Sequence, residues 1–176
     1  MPTTPTNLRR ALLFDWGDTV MSDTPGDLGP MCDWPHVMEV EGVGAVLAQL
    51  RPQWRFALAT NAQDSAVAEI RRALARVELD RYFEHIFCYR ALGRRKQERG
   101  FWTAVLVQLG LAPESVVMVG DDFEGDVLAP NAVGIPAVWF NPLTEERRSQ
   151  PGWHCTIGHM RELPAALAAL DAGRGE

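Results

Sequence analysis

The sequence has little of what would place the chain in several large classes of protein. Its three cysteines are odd in number and far apart, so we expect neither a disulfide framework nor a cysteine metal site. It lacks an excess of positive charge: the formal net charge is -6, which argues against a nucleic-acid partner. No apolar run approaches the length that spans a bilayer, so no membrane partner is expected. The apolar run before Asp15 is too short for a secretory signal, which predicts a cytoplasmic location.

No internal repeat or low-complexity linker divides the chain, so residues 1–176 are predicted to form one domain. Within it, five short apolar segments have the length and composition of strands: residues 10–15, 54–60, 85–89, 115–120 and 137–140. Amphipathic stripes such as Val43, Val46, Leu47 and Leu50 lie between them and predict helices. This alternation predicts an α/β fold with three α/β/α layers and a mainly parallel, five-stranded, Rossmann-type sheet.

Polar residues stand at or just after the ends of three of these strands. They are Asp15, Thr60 and Asp121. Open parallel sheets bind ligands beyond the carboxyl ends of their strands, so these side chains should meet at one edge if the strands are neighbours. Taken singly, each segment has an ordinary explanation: "DWGD" suits a turn, "TN" at 60–61 a helix cap, and the charge run around Lys96 a solvated face.

In their order along the chain, the segments resemble the motifs of the haloacid dehalogenase-like (HAD) superfamily of hydrolases. The residues that carry the likeness are Asp15 and Thr19 in "DWGDTV", Thr60 in "LATNA", Lys96 in "LGRRKQ", and Asp121 and Asp126 in "VMVGDDFEGD". The resemblance covers residues from Ala11 to about Pro142, and the segment that follows adds no signal.

The resemblance implies a catalytic role for Asp15, which would attack a phosphoryl group and form an aspartyl-phosphate. A carboxylate attacking an anion is repelled, so the site must gather positive charge and hydrogen-bond donors. Lys96 would neutralise Asp15 and the phosphoryl oxygens, Thr60 would donate a hydrogen bond to one of them, and Asn61 would bind the same group through its backbone. The substrate would be a small phosphorylated molecule or a larger phosphorylated ligand.

The resemblance also implies Mg²⁺ as the cofactor. Asp15, the backbone carbonyl of Gly17, and Asp121 would hold the ion, and Asp126 would bond it directly or through water. These hard oxygen ligands suit Mg²⁺. Asp122 adds charge nearby, and we assign it no role from the sequence.

Gly17 departs from the pattern of HAD phosphatases, which normally have a second aspartate two residues after the nucleophile. That aspartate protonates the leaving group and then activates water, and glycine has no side chain for either task. Three explanations stay open. The neighbouring Asp18 takes over; an acid comes from the next loop, which contains Asp23, Asp27, Asp33 and His36; or the leaving group needs little protonation, as in acyl phosphates and phosphonates.

A Pro- and Gly-rich segment at about 20–40 is expected to form a short flap, without a full cap domain. Met31, Trp34 and His36 of this flap are candidate substrate contacts, although packing explains Met31 and Trp34 equally well. A tail and helix are expected over about 143–176, and association into a homo-oligomer stays open. Two other functions remain: a non-catalytic HAD-fold binding protein, and a phosphonatase- or dehalogenase-like hydrolase.

Overall fold

The computed structural model describes residues 10–24 and 26–174, and its centre is one parallel sheet of six strands. The strands are β1 (Ala11–Phe14), β2 (Arg55–Thr60), β3 (Phe83–Cys88), β4 (Val116–Gly120), β5 (Ala137–Phe140) and β6 (His154–Ile157). Their order across the sheet is β3-β2-β1-β4-β5-β6, and every neighbouring pair is parallel. The predicted α/β fold is therefore confirmed.

The prediction of five strands is wrong, because β6 at the edge of the sheet was not foreseen. Its sequence "HCTI" has no continuous apolar run, and only Ile157 is fully buried. An edge strand pairs on one side alone and is half exposed, so its sequence need not be apolar. β6 lies in the segment 143–176, for which we expected only a tail and a helix.

Helices cover both faces of the sheet. They are α1 (Val43–Leu50), α2 (Val67–Arg76), α3 (Tyr89–Leu92), α4 (Arg99–Leu109), α5 (Ala129–Asn131) and α6 (Leu163–Ala172), with a π-helix at Phe123–Leu128 leading into α5. Alternate residues of β1 pack on opposite faces of the sheet. Leu12 and Phe14 pack with α1, α2 and α6, while Ala11 and Leu13 pack with α4. Both faces of the central strands are therefore buried, which explains their unbroken apolar sequences. In the described part of the chain, no helix has the length and apolarity that crossing a bilayer requires.

Strand register brings the polar strand ends together. Phe14 at the end of β1 pairs with Leu58 of β2 on one side and with Val119 of β4 on the other. The backbone N–H of Asp15 donates to the carbonyl of Val119 at 2.8 Å, so Asp15 continues the ladder by one residue. The carboxyl ends of β1, β2 and β4 thus share one edge of the sheet.

The flap is irregular and packs down on α2. Within residues 20–24 and 26–40, its helical content is one 3₁₀ turn at Met31–Asp33. The guanidinium of Arg76 donates to the carbonyls of Cys32, Trp34 and Pro35, and Arg72 pairs with Asp33 at 2.7 Å. These contacts fix the flap beside the carboxyl edge of the sheet.

Candidate active site

Lys96 is the inward-pointing member of an otherwise exposed charge run. Its side chain is only 3% exposed, while its neighbours Arg94, Arg95 and Gln97 are exposed. The backbone explains this orientation: the N–H of Lys96 donates to Oδ1 of Asn61 at 2.8 Å, and its carbonyl accepts from Nε1 of Trp102 at 2.6 Å. The solvated-face interpretation therefore fails for Lys96 itself.

The ammonium of Lys96 lies between two carboxylates. Nζ donates to Oδ1 of Asp15 at 2.7 Å and to Oδ1 of Asp126 at 2.6 Å. Burial by itself lowers the pKa of Lys96, but the charges of Asp15 and Asp126 outweigh it and raise the pKa above its ordinary value. Lys96 is therefore a permanent cation that contacts the predicted nucleophile.

Asp126 lies beneath this contact and is fully buried. The π-helix brings its side chain under the end of β4, where Oδ2 accepts from the backbone N–H of Asp122 at 3.1 Å. Burial raises the pKa of Asp126 well above its ordinary value, while the charge of Lys96 acts in the opposite direction. The first role of Asp126 in this geometry is to hold Lys96.

Asp121 follows β4 and faces Asp15. The hydroxyl of Thr19 donates to its Oδ1 at 3.1 Å, and its backbone carbonyl accepts from Nε1 of Trp139 at 2.8 Å. Burial, together with the charge of Asp15, raises the pKa of Asp121 to about 6. Thr19, one of the residues that carried the family resemblance, thus orients an acidic side chain.

The three carboxylates form a cluster suited to a divalent cation. Oxygen atoms of Asp15, Asp121 and Asp126 all lie within 4.8 Å of one another. Lys96 supplies one positive charge against their three negative charges, and both Asp121 and Asp126 have raised pKa values. Lys96 therefore does not balance the negative charge of the three carboxylates, and their oxygen atoms are the ligands that Mg²⁺ prefers.

A cavity of about 580 Å³ opens onto this cluster. Most of the predicted site residues line it, namely Asp15, Gly17, Asp18, Thr60, Asn61, Lys96 and Asp121. Asp126 is not among the lining residues, in keeping with its position behind Lys96. Oγ1 of Thr60 accepts from the N–H of Ala62 at 3.1 Å, which leaves its hydroxyl proton free to donate.

Asp122 holds the π-helix and the Lys96 loop together through its two carboxylate oxygens. Oδ1 of Asp122 accepts from the N–H of Glu124 and Oδ2 from Gln97, so Asp122 caps the π-helix and ties it to the Lys96 loop.

Of the three flap residues predicted to contact substrate, Met31 and Trp34 line the cavity, whereas His36 is exposed and does not. Both lining residues also pack into the apolar core beside α2.

The loop after Gly17 presents a carboxylate that the sequence did not single out. A Cβ added to Gly17 would lie 2.6 Å from Oδ2 and 2.9 Å from Oδ1 of Asp23. The backbone N–H of Asp23 donates to Oδ1 of Asp18 at 2.9 Å. Burial raises the pKa of Asp23, and the charges of Asp18 and Asp15 add to the effect. Nothing in the sequence distinguished Asp23 from Asp27 or Asp33, because the distinction depends on how the loop folds back.

Comparison with known proteins shows the family to which the chain belongs. The family model for haloacid dehalogenase-like hydrolase matches residues 34–134, more than half of the chain, and the chain belongs to that family. Among its relatives, the N-acylneuraminate-9-phosphatase of Mus musculus is 32% identical over 145 residues, covering 77% of this chain and 54% of that protein. The chain thus spans about half the length of the curated relatives it matches.

Two solved structures show the same fold. An uncharacterized protein from Listeria monocytogenes serotype 4b superposes with a TM-score of 0.82 at 24% identity, covering 93% of this chain and 99% of that one. The magnesium-bound HAD-hydrolase YfnB of Bacillus subtilis superposes with a TM-score of 0.64 at 20% identity, covering 74% of this chain and 56% of that one.

Proposed function

We propose that the protein is a Mg²⁺-dependent phosphatase that hydrolyses a phosphate monoester through an aspartyl-phosphate on Asp15. The observation that carries the proposal is the contact of a buried Lys96 ammonium with Asp15, at 2.7 Å, on the floor of an open cavity. An ion pair of this kind is costly to bury, and it is useful where an anionic group must approach a carboxylate. The phosphatase relatives support the same reaction class.

Each residue of the site has a task in this reaction. A carboxylate oxygen of Asp15 attacks phosphorus, and the bond from phosphorus to the leaving oxygen breaks. Lys96 reduces the repulsion between Asp15 and the phosphoryl oxygens, and the free hydroxyl proton of Thr60 bonds to one of them. Asn61 fixes the Lys96 loop through its side chain and offers its backbone N–H to the phosphoryl group.

Mg²⁺ would be held by Asp15, the carbonyl of Gly17, and Asp121, with Asp126 bonding it directly or through water. When bound, the ion supplies positive charge that the phosphoryl group and the carboxylates need. Thr19 orients Asp121 for this purpose, and Asp126 keeps Lys96 in place.

The proposed substrate is a phosphorylated small molecule, since the cavity of about 580 Å³ has the size of small-molecule sites. Its open mouth also admits a larger phosphorylated ligand. We propose no nucleic-acid or membrane partner. A homo-oligomer and a cytoplasmic location stay predictions.

The experiment is phosphate release by the purified chain from a panel of alkyl phosphates, aryl phosphates and acetyl phosphate, with and without Mg²⁺. We expect Asp15→Asn to abolish release from every substrate while the far-UV circular dichroism spectrum stays native. Asp64→Asn is the control, because it makes the same chemical change at an exposed residue of the same cavity and should keep the activity. Full activity in Asp15→Asn would refute the nucleophile assignment.

Because Gly17 lacks the acidic side chain, two alternatives stay open, and the same panel extended with phosphonates and 2-haloacids separates them. A non-catalytic binding protein would bind phosphate compounds without turnover. A phosphonatase- or dehalogenase-like hydrolase would release phosphate from phosphonates, or halide from 2-haloacids, and leave the monoesters intact.

A further inference from the structure

The carboxylate of Asp23 occupies the place where a side chain on residue 17 would stand. An ideal Cβ on Gly17 would meet Oδ2, Oδ1 and Cγ of Asp23 at 2.6, 2.9 and 3.0 Å. Gly17 is not among the residues with positive φ, so its backbone would accept an L side chain. The carboxylate of Asp23 therefore fills the space that a side chain on residue 17 would take.

A tight loop returns the chain to this point. The N–H of Asp18 donates to the carbonyl of Met21 at 2.7 Å, and Gly17 and Met21 form a bridge. Asp18 has a φ of 53°, an uncommon value for a residue with a side chain, and its Oδ1 accepts from the N–H of Asp23. Asp18 thus uses its side chain to hold Asp23 in position.

The other acidic candidates of the loop do not share this geometry. Asp33 forms an exposed ion pair with Arg72 and, like His36, does not line the cavity. Asp27 lines the cavity, but the three atoms nearest to the Cβ position of residue 17 all belong to Asp23. Of these four residues, Asp23 is the one that lines the cavity and also has its carboxylate nearest to the Cβ position of residue 17.

We propose that Asp23 is the general acid and base of the reaction, supplying from residue 23 the carboxyl group that Gly17 lacks. The proposal rests on the phosphatase function proposed above. In the first step Asp15 bonds to phosphorus, the P–O bond to the leaving group breaks, and the Asp23 carboxyl gives its proton to the departing oxygen. In the second, the Asp23 carboxylate takes a proton from water as the water oxygen bonds to phosphorus. The P–O bond to Asp15 breaks, inorganic phosphate leaves, and both aspartates return to their starting states.

The first test is the dependence of kcat/KM on the leaving group, because kcat/KM reports the steps up to departure of the leaving group and not the shared hydrolysis of the aspartyl-phosphate. Asp23→Asn should lower kcat/KM about 10²–10⁴-fold with alkyl phosphates, whose alkoxide leaving groups need a proton. With p-nitrophenyl phosphate and acetyl phosphate, whose leaving groups are weak bases, the loss in the first step should be much smaller. Asp27→Asn is the matched control on the same loop and should not show this selectivity.

The second test moves the carboxyl group from residue 23 to residue 17. In the double variant Gly17→Asp with Asp23→Gly, the space beside residue 17 is free, and we expect at least a tenfold recovery over Asp23→Asn with alkyl phosphates. Gly17→Asp alone should bring no gain over the wild type, because Asp23 already supplies the carboxyl group, and with its Oδ2 2.6 Å from the new Cβ one of the two carboxyl groups must turn away.

A third comparison tests the positioning role of Asp18. Asparagine at residue 18 keeps an oxygen that accepts from the N–H of Asp23, whereas alanine does not. With alkyl phosphates, Asp18→Asn should therefore retain more activity than Asp18→Ala. Equal losses would overturn this positioning role of Asp18.

The outcomes separate this inference from the function on which it rests. If the wild-type chain releases phosphate from no substrate, the proposed function fails. If the wild type is active and Asp23→Asn matches it with alkyl phosphates, or Asp27→Asn shows the same selective loss, the assignment of Asp23 is overturned. Should Asp23→Asn fail to fold, Asp23→Gly, the single-site parent of the double variant, takes its place in the same comparison, and wild-type activity of Asp23→Gly with alkyl phosphates would overturn the assignment.

Discussion

Replacing Lys96 with methionine should destabilise the protein strongly, because it leaves two carboxylates without their cation. Methionine matches the length of the lysine stem and is flexible enough to fill the same space. The side chains of Asp15 and Asp126 are 13% and 0% exposed, and each contacts Nζ of Lys96. Removing one partner of a buried ion pair costs about 3–5 kcal/mol. For a chain of this size, that corresponds to a fall in Tm of about 6–20 °C.

The assay is urea unfolding in the presence of EDTA at pH 7.5, with the free energy of unfolding extrapolated to water. Arg55→Met is the matched control, since it removes the exposed pair with Glu84 and should cost less than about 1 kcal/mol. The double variant Lys96→Met with Asp126→Asn removes one of the two uncompensated charges, and should recover about 0.5–3 kcal/mol of the loss.

The pH dependence of Lys96→Met follows from Asp126. Burial holds the pKa of Asp126 above its unfolded value even when Lys96 is present. A carboxyl group with a raised folded pKa favours the folded state as the pH falls through that pKa, so the deficit of the variant should shrink on acidification. A loss below about 1 kcal/mol at pH 7.5, the size of a surface ion pair, would refute the argument. A double variant no more stable than Lys96→Met would also do so.

Two further predictions concern the metal and the flap. Mg²⁺ at about 100 times its Kd should add about 2.7 kcal/mol at pH 7.5, seen as a rise in Tm. The folded pKa of Asp121, about 6 without metal, lies above its unfolded value of 3.8, so protons compete with the ion for this carboxylate. The rise in Tm should therefore shrink below pH 6. A rise in Tm that does not depend on pH would contradict the proposed metal site. Arg76→Ala removes three hydrogen bonds to flap carbonyls and should therefore speed proteolysis within the flap. Arg81→Ala, which lies outside that contact, is the control and should not change the cleavage rate. Equal cleavage rates in the two variants would show that Arg76 does not hold the flap.

The strands and helices were largely predictable because their cause is local. β4 and β1 are buried on both faces and have unbroken apolar sequences. β6 was not predicted because an edge strand needs neither an apolar run nor an alternating one, and it forms by pairing with β5.

The site shows the same division between local and long-range causes. The residue types after β1, β2 and β4, together with Lys96, were enough to predict which side chains gather, because parallel strands bring their carboxyl ends to one edge. The sequence by itself thus determined the family, the nucleophile candidate and the gap at Gly17. Only the tertiary structure decided what fills that gap: Asp23 approaches residue 17 through a left-handed Asp18 and a short loop, and nothing in the spacing of the residues encodes that return.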